Sequence, residues 1–146
     1  MTKKRAPRIR LDHVGIAVRN LPEAMERYSK LLGKPASPIE EVMSEKVRVS
    51  FLELEGCRIE LLEGTSPESP VRKFLDGGRS GVHHLSICLE SGDIDAFFQL
   101  LKESGTAVLG ESARAGSEGS RIFFLHPRAA DGVLIEFSQK KGEKPR

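Results

Sequence analysis

Hydrophobic and polar residues alternate along several short stretches of the chain, and two of these stretches begin with histidine. In the segment HVGIAV, bulky apolar side chains occupy every second position from Val14, and in HLSICL they do so from Leu85. Strict alternation predicts β-strands, because successive side chains of a strand point to opposite faces. Each predicted strand therefore has one bulky apolar face and one face on which a histidine, His13 or His84, is followed by small residues.

A helical pattern follows each histidine strand and ends at a glycine. The first pattern opens at Asn20 or Pro22 and closes at Gly33, while the second has Asp93 as a candidate N-cap and closes at Gly105. Apolar residues recur at spacings of three and four, which predicts amphipathic helices. The stripe residues are Ala24, Tyr28, Leu31 and Leu32 in the first helix and Ile94, Phe97, Phe98 and Leu101 in the second.

The order of elements repeats along the chain. After each helix come two more strand patterns, in VRVSFLELEGCRIELLEG and in SRIFFLHPRAADGVLIEFSQ. A repeated supersecondary order predicts two tandem βαβββ modules. We therefore expect an α+β fold whose modules form curved mixed sheets around a metal-binding cleft. The expected boundaries are a disordered basic tail at 1–8, one domain at 9–139 with modules at about 9–64 and 80–139, a linker with a short helix at 65–79, and a basic tail at 140–146.

Composition narrows the classes of function. The chain has 146 residues, 38% of them hydrophobic and 30% charged, as in ordinary globular proteins. A net charge of +2 does not suggest nucleic-acid binding. No apolar run approaches the ~20 residues that span a bilayer, and the N-terminus lacks the apolar region of a secretory signal. Cys57 and Cys88 are isolated, which argues against a disulfide framework. We expect a cytoplasmic protein without nucleic-acid or membrane partners.

Each final strand carries a glutamate between apolar neighbours, Glu60 in RIELL and Glu136 in LIEFS. An ionised glutamate on a central strand is costly unless it is paired or binds a metal. Taken singly, a strand histidine is more often a core residue and a strand glutamate more often an edge residue. Their recurrence at matched positions favours a site in which His13, Glu60, His84 and Glu136 bind a divalent transition metal through two nitrogens and two oxygens. His83 falls on the bulky face, which indicates a structural role.

The repeat, with His and Glu at these places, resembles the vicinal oxygen chelate superfamily of glyoxalases, bleomycin resistance proteins and dioxygenases. Three stretches, SPVRKFLDGGRSGVHHLSI, RAGSEGSRIFFLHP and GVLIEFSQ, resemble the methylmalonyl-CoA epimerases within it. The likeness covers about Leu11 to Gln139. It implies a metal-dependent exchange of the two C2 epimers of methylmalonyl-CoA, with the same four metal ligands and with cobalt first among ions that include manganese, nickel and zinc. Some relatives have a catalytic carboxylate where this chain has Val49.

Epimerisation needs proton transfer on both faces of a planar intermediate. Because Glu60 and Glu136 come from the two related modules, we expect each to act in turn as the catalytic base. The glycine-rich loop ARAGSEGSR is a candidate for binding the substrate through Gly116, Ser117 and Arg121, and Arg128 is a candidate for attracting the CoA phosphates. We expect an acyl-CoA substrate and a homodimer.

Two other functions fit the same architecture. One is a glyoxalase I-type lyase that acts on a glutathione hemithioacetal and uses a similar His and Glu set. The other is a non-catalytic ligand-binding module, as in resistance proteins. The intact set of four ligands and an aromatic content of only 5% without tryptophan argue against this binding module. The choice of metal, the identity of the base, the acyl-CoA specificity and the oligomeric state stay open at this stage.

Overall fold

The computed structural model describes residues 6–141, and its elements follow the order βαβββ twice. The strands are β1 (Ile9–Ala17), β2 (Glu40–Val42), β3 (Val47–Glu53), β4 (Arg58–Gly64), β5 (Gly81–Leu89), β6 (Arg114–Ala115), β7 (Arg121–Leu125) and β8 (Ile135–Gln139). The helices are α1 (Leu21–Leu32), α2 (Pro70–Asp76) and α3 (Ile94–Glu103), with 3₁₀ turns at Met43–Glu45, Ser117–Gly119 and Pro127–Ala130. The predicted order is confirmed, and α2 is the short helix expected in the linker.

The predicted helix ends are also confirmed. The side chain of Asn20 accepts a hydrogen bond from the backbone N–H of Glu23, and the side chain of Asp93 caps α3 in the same way. These contacts satisfy backbone donors that have no partner inside the helix. Gly33 ends α1 at φ 64°, and Gly105 follows α3 at φ 84°, which is the left-handed region that favours glycine.

The chain forms two compact units. One comprises Asp12–Ser86, and the other comprises the described residues before and after that range, so that β1 and β5 each contribute to both units. In the first unit the strand order is β2-β3-β4-β1-β5. Strands β1 and β4 run parallel, whereas β3 is antiparallel to both β2 and β4. The expected mixed pairing is confirmed here.

Apolar side chains of the first unit form two clusters. Ile16 of β1 and Val18, which follows β1, pack against a cluster that contains Leu21 and Ala24 of α1. Ala17, on the face of His13, belongs to a second cluster, whose other members are Val42, Val47, Val49, Phe51, Leu62, Val71 and Leu75. Because Val71 and Leu75 belong to α2, this helix covers part of the histidine face.

The predicted core stripe of α1 is wrong at its C-terminal end. Leu31 is 70% exposed, and Leu32 is also exposed. The helix instead packs through Leu21, Ala24, Met25 and Tyr28. A spacing of three and four defines a helix face, but it does not define how far along the helix its packing partner extends.

The second unit contains α3 and the antiparallel strands β6, β7 and β8, with the end of β5 beside β8. The predicted stripe of α3 packs against aromatic and aliphatic residues of β7 and β8, among them Phe123 and Phe137. Arg8, which the sequence placed in the tail, accepts a backbone hydrogen bond from Glu90 and donates one to Ser91. The rest of the predicted tails lies largely outside the described residues. None of the described helices has the length and apolar character to cross a membrane.

Candidate metal site

Three buried side chains meet in the unit Asp12–Ser86: His13 on β1, Glu60 on β4 and His84 on β5. Nε2 of His13 lies 3.2 Å from Nε2 of His84, and Oε1 of Glu60 lies 3.3 Å from each of these nitrogens. Among residues 6–141, these three side chains form the one group of three or more His, Cys, Asp or Glu side chains whose ligand atoms lie close enough to hold a single ion. The structure thus brings together three of the four predicted ligands.

The spacing of these three atoms fits a shared metal ion. Ligands about 2.1 Å from one ion, as in Zn–N bonds, lie about 3.0 Å apart at octahedral angles and about 3.4 Å apart at tetrahedral angles. The observed separations of 3.2 and 3.3 Å fall between these two values. Two imidazoles and a carboxylate also suit a divalent transition ion. The donor set therefore fits a divalent metal.

Glycine at position 15 gives His84 its place in the site. Gly15 stands two residues after His13 on β1, so the two positions share one face of the strand. On the parallel strand β4, Gly15 lies opposite Glu60. A β-carbon at this position would lie within 2.5 Å of Nδ1 and 2.8 Å of Nε2 of His84. The space that a side chain at position 15 would need is therefore taken by the imidazole of His84.

A buried ion pair orients His13. Nδ1 of His13 lies 2.7 Å from Oδ2 of Asp12, and a guanidinium nitrogen of Arg58 donates to the same oxygen at 2.9 Å. Burial raises the pKa of Asp12, but the hydrogen bonds and charges of His13 and Arg58 outweigh burial and hold this pKa far below its usual range. An ionised Asp12 accepts the Nδ1 proton of His13, which leaves the Nε2 lone pair directed at the site. Arg58 also stacks over the ring of Phe51.

His83 contacts His84 rather than lying apart from it. Nδ1 of His83 is 3.0 Å from Nδ1 of His84, and the ring of Phe74 packs edge-on against the ring of His83. Strand alternation places His83 on the face opposite His84, but its ring turns toward its neighbour while Phe74 of α2 packs against it, so His83 contacts the candidate ligand directly. The structural role of His83 stays a prediction. Burial and the charge of His84 lower the pKa of His83 to about 4.

Glu60 is ionised in its buried position. Burial raises its pKa, but the adjacent imidazoles of His13 and His84 outweigh this effect and lower the pKa to about 2. A carboxylate that carries its charge at neutral pH is the form that binds a divalent cation. Glu60 is thus electrostatically suited to be a ligand.

Glu136 belongs to the other compact unit. It is buried on β8, where it pairs with Phe124 of β7. Its place between apolar neighbours agrees with the alternation on which the sequence prediction depended. Its role as a fourth ligand stays a prediction.

The four residues predicted to bind substrate have partners of their own in the second unit. The N–H of Gly116 donates to the carbonyl of Ser120, and the carbonyl of Ser117 accepts hydrogen bonds from the N–H and hydroxyl of Ser120. Arg121 forms an ion pair with Asp95 at 2.7 Å. Arg128 is exposed. Substrate binding by these residues stays a prediction, and for Arg121 it would compete with the ion pair.

Two residues that orient the site were missed by the sequence reasoning, Asp12 and Arg58. Asp12 stands directly before His13, as His83 stands directly before His84, and this repeated position is a signal that the sequence contains. Arg58 stands two residues before Glu60 and lies opposite His13 in the β1–β4 register, which only the strand pairing reveals. Val49, where some relatives have a carboxylate, is fully buried among apolar side chains.

Comparison with known proteins gives consistent matches. Residues 12–124 match the glyoxalase/bleomycin resistance protein/dioxygenase superfamily. The ethylmalonyl-CoA/methylmalonyl-CoA epimerase of Cereibacter sphaeroides is 38% identical over 89% of this chain and 97% of that protein. The mitochondrial methylmalonyl-CoA epimerase of Homo sapiens is 36% identical over 89% of this chain and 73% of that protein. A solved variant of the Streptomyces coelicolor methylmalonyl-CoA epimerase, in complex with 2-nitronate-propionyl-CoA, aligns with a TM-score of 0.85 and 34% identity, over 94% of this chain and 98% of that one.

The doubled βαβββ order and the match over residues 12–124 define a glyoxalase-like protein of the glyoxalase/bleomycin resistance protein/dioxygenase superfamily. Both the fold and the resemblance expected from the sequence are therefore confirmed. Within this superfamily, the chain belongs to the methylmalonyl-CoA epimerase family, a family of enzymes.

Proposed function

We propose that this protein interconverts the (R) and (S) epimers of methylmalonyl-CoA, using a divalent metal held by His13, Glu60 and His84. The observation that carries this proposal is the triangle of ligand atoms with sides of 3.2 and 3.3 Å in a buried position. The named activities of the relatives support the reaction, and the CoA ligand of the S. coelicolor complex supports an acyl-CoA substrate. The sequence repeat supports Glu136 as the fourth ligand.

The reaction replaces the proton at C2 from the opposite face and leaves every other bond of the substrate in place. A divalent metal at this site supplies Lewis-acid polarisation of the carbonyl oxygens that flank C2. One side chain, as a carboxylate, takes the C2 proton, and the other, in its carboxylic acid form, gives a proton to the opposite face of the planar intermediate, so that the two groups exchange protonation states in each turnover. We assign these two roles to Glu60 and Glu136, which the repeat places at matched positions of the two modules.

The polar neighbours of the site prepare His13 and His84 for metal binding. Asp12 and Arg58 hold His13 with Nε2 toward the site, and His84 is seated against Gly15. Cobalt is the proposed ion, with manganese, nickel and zinc as alternatives, since all accept imidazole and carboxylate ligands. For the substrate, we propose that Gly116, Ser117 and Arg121 bind the acyl end and that Arg128 attracts the CoA phosphates. We also propose that the enzyme is a homodimer.

Proton exchange at C2 tests the proposed function directly. Metal-free protein is mixed with methylmalonyl-CoA in heavy water, Co²⁺ is then added, and NMR follows loss of the C2 proton. The His84→Ala variant under the same conditions measures the spontaneous exchange. We expect fast exchange that requires both Co²⁺ and His84.

The other outcomes separate the remaining functions. Metal binding without exchange would move the assignment to glyoxalase-type chemistry, which methylglyoxal plus glutathione would test. Failure to bind Co²⁺, Mn²⁺, Ni²⁺ or Zn²⁺ would contradict the proposed site.

A further inference from the structure

We propose that His83 is a positioning residue that keeps the proton of His84 on Nδ1 and so leaves Nε2 of His84 free to bind the metal. This inference rests on the metal site proposed above. It assigns His83 the same task for His84 that Asp12 has for His13. The two pairs occupy matching positions of the repeat, Asp12-His13 on β1 and His83-His84 on β5.

The Asp12–His13 pair shows how a neighbouring residue decides which nitrogen of a histidine binds the metal. An imidazole binds a metal through a nitrogen that carries no proton, and a neutral imidazole carries its proton on the other nitrogen. Oδ2 of Asp12 lies 2.7 Å from Nδ1 of His13 and can only accept when ionised. The proton of His13 therefore stays on Nδ1, and Nε2 carries the lone pair.

In the second pair two nitrogens face each other, 3.0 Å apart, and one of them must donate. If His83 donated, the proton of His84 would lie on Nε2, where it could hydrogen-bond Oε1 of Glu60 at 3.3 Å but would block a metal ion. If His84 donates, its Nε2 carries a lone pair instead of a proton, and His83 carries its own proton on Nε2. Only the second arrangement permits the three-ligand site.

Two contacts hold the rings of this second pair in place. Phe74 of α2 packs edge-on against His83, with ring centroids 5.0 Å apart. The ring of His84 fills the space above Gly15 and is 2% exposed. Rotation of either ring out of this arrangement would lose packing, so the contact between the two Nδ1 atoms is supported from both sides.

Variants at position 83 separate hydrogen bonding from packing. His83→Phe keeps a ring against Phe74 but removes the acceptor at Nδ1. In His83→Asn the side-chain carbonyl can occupy the position of Nδ1 and accept the same hydrogen bond. His126→Phe is the matched control, because His126 is an exposed histidine in the other unit.

The first measurement is Zn²⁺ affinity, by competition with a chelator. We expect His83→Phe to weaken binding about 10- to 100-fold, the usual effect of losing a partner of a metal-binding histidine. His83→Asn should restore most of the affinity, and His126→Phe should leave it unchanged. Equal affinities of wild type and His83→Phe would overturn the inference. If wild-type protein itself bound no metal, the site of the proposed function would fail first, and this inference with it.

The second measurement is long-range ¹H–¹⁵N NMR of ¹⁵N-histidine in the Zn²⁺-loaded protein, which reports the protonated nitrogen of each ring. We expect the proton of His84 on Nδ1 and that of His83 on Nε2. A proton of His83 on Nδ1, directed at His84, would refute the assignment even if the metal bound tightly. Neither measurement depends on catalytic activity.

Discussion

The imidazole of His84 occupies the space that a β-carbon on residue 15 would need. Its two ring nitrogens lie 2.5 and 2.8 Å from that position, which is closer than side-chain atoms pack. Gly15 stands two residues after His13 on β1 and lies opposite Glu60 on β4. A single residue without a side chain therefore allows the three candidate ligands to converge.

Gly15→Ala should displace the imidazole of His84 from its position in the site. We expect the free energy of unfolding to fall by about 1–3 kcal/mol, because the added methyl group overpacks a buried position. Zn²⁺ affinity should fall as well, since Nε2 of His84 moves away from Glu60. Urea denaturation and metal titration measure the two effects.

The double variant Gly15→Ala, His84→Ala identifies the cause of that change. If the clash with the imidazole is responsible, adding Gly15→Ala to His84→Ala should cost little further stability. Simple addition of the two single effects would contradict the assignment.

Removal of the carboxylate charge should weaken the metal site. Glu60→Gln keeps the size of the side chain but loses the negative charge between His13 and His84, so we expect Co²⁺ affinity to drop at least about tenfold. Calorimetric titration of the metal-free protein measures the affinity. Glu55→Gln, at an exposed position in the turn after β3, should bind Co²⁺ like wild type.

Glu136→Gln tests the proposed proton transfer on the second face. At saturating Co²⁺ we expect epimerisation to slow about 100-fold or more, within the usual range for loss of a general base. The assay starts from one epimer and follows formation of the other. Near-normal turnover would eliminate the role of Glu136 as a base. Glu111→Gln, at an almost fully exposed carboxylate, is the control.

Arg58→Met should leave the buried negative charge of Asp12 without its ion-pair partner Arg58. Asp12 and Arg58 are both buried, and loss of one partner of a buried ion pair costs about 3–5 kcal/mol. Methionine retains apolar contact with Phe51, so the cost reports mainly the charge. Denaturant unfolding measures it.

Two comparisons check this interpretation. The double variant Asp12→Asn, Arg58→Met should recover part of the stability, because no charge is then left unpaired at this position. Arg19→Met, which removes an exposed ion pair with Asp76, should cost less than about 1 kcal/mol. If Arg19→Met cost as much as Arg58→Met, burial would not explain the effect.

The amino-acid sequence alone determined the order of the elements and most of their faces. Alternation in HVGIAV and HLSICL, helix spacing, and the caps at Asn20 and Asp93 are local patterns, and the repeat made each module support the interpretation of the other. The same patterns identified His13, Glu60 and His84, because a histidine or a carboxylate on a buried strand face requires a partner. The exposure of Leu31 escaped this reasoning, since it depends on where the neighbouring strands end.

Only the tertiary structure decided how these side chains meet. The pairing of β1 with β4 brings Arg58 to Asp12 across 46 positions of the chain, and α2 supports His83 through Phe74. The contact between His83 and His84 could not be predicted from the sequence, because strand alternation predicts the face from which a side chain leaves the strand, whereas ring rotation and packing decide the final position of its nitrogens. Likewise, Gly15 was identified as small, but the atom that needs the space belongs to a residue 69 positions away. Local periodicity determines which face of a strand or helix a residue occupies. The distances between side chains are determined by the approach of segments that are far apart in the sequence. Hydrogen bonds and metal sites depend on tenths of an ångström in these distances, which no local pattern specifies.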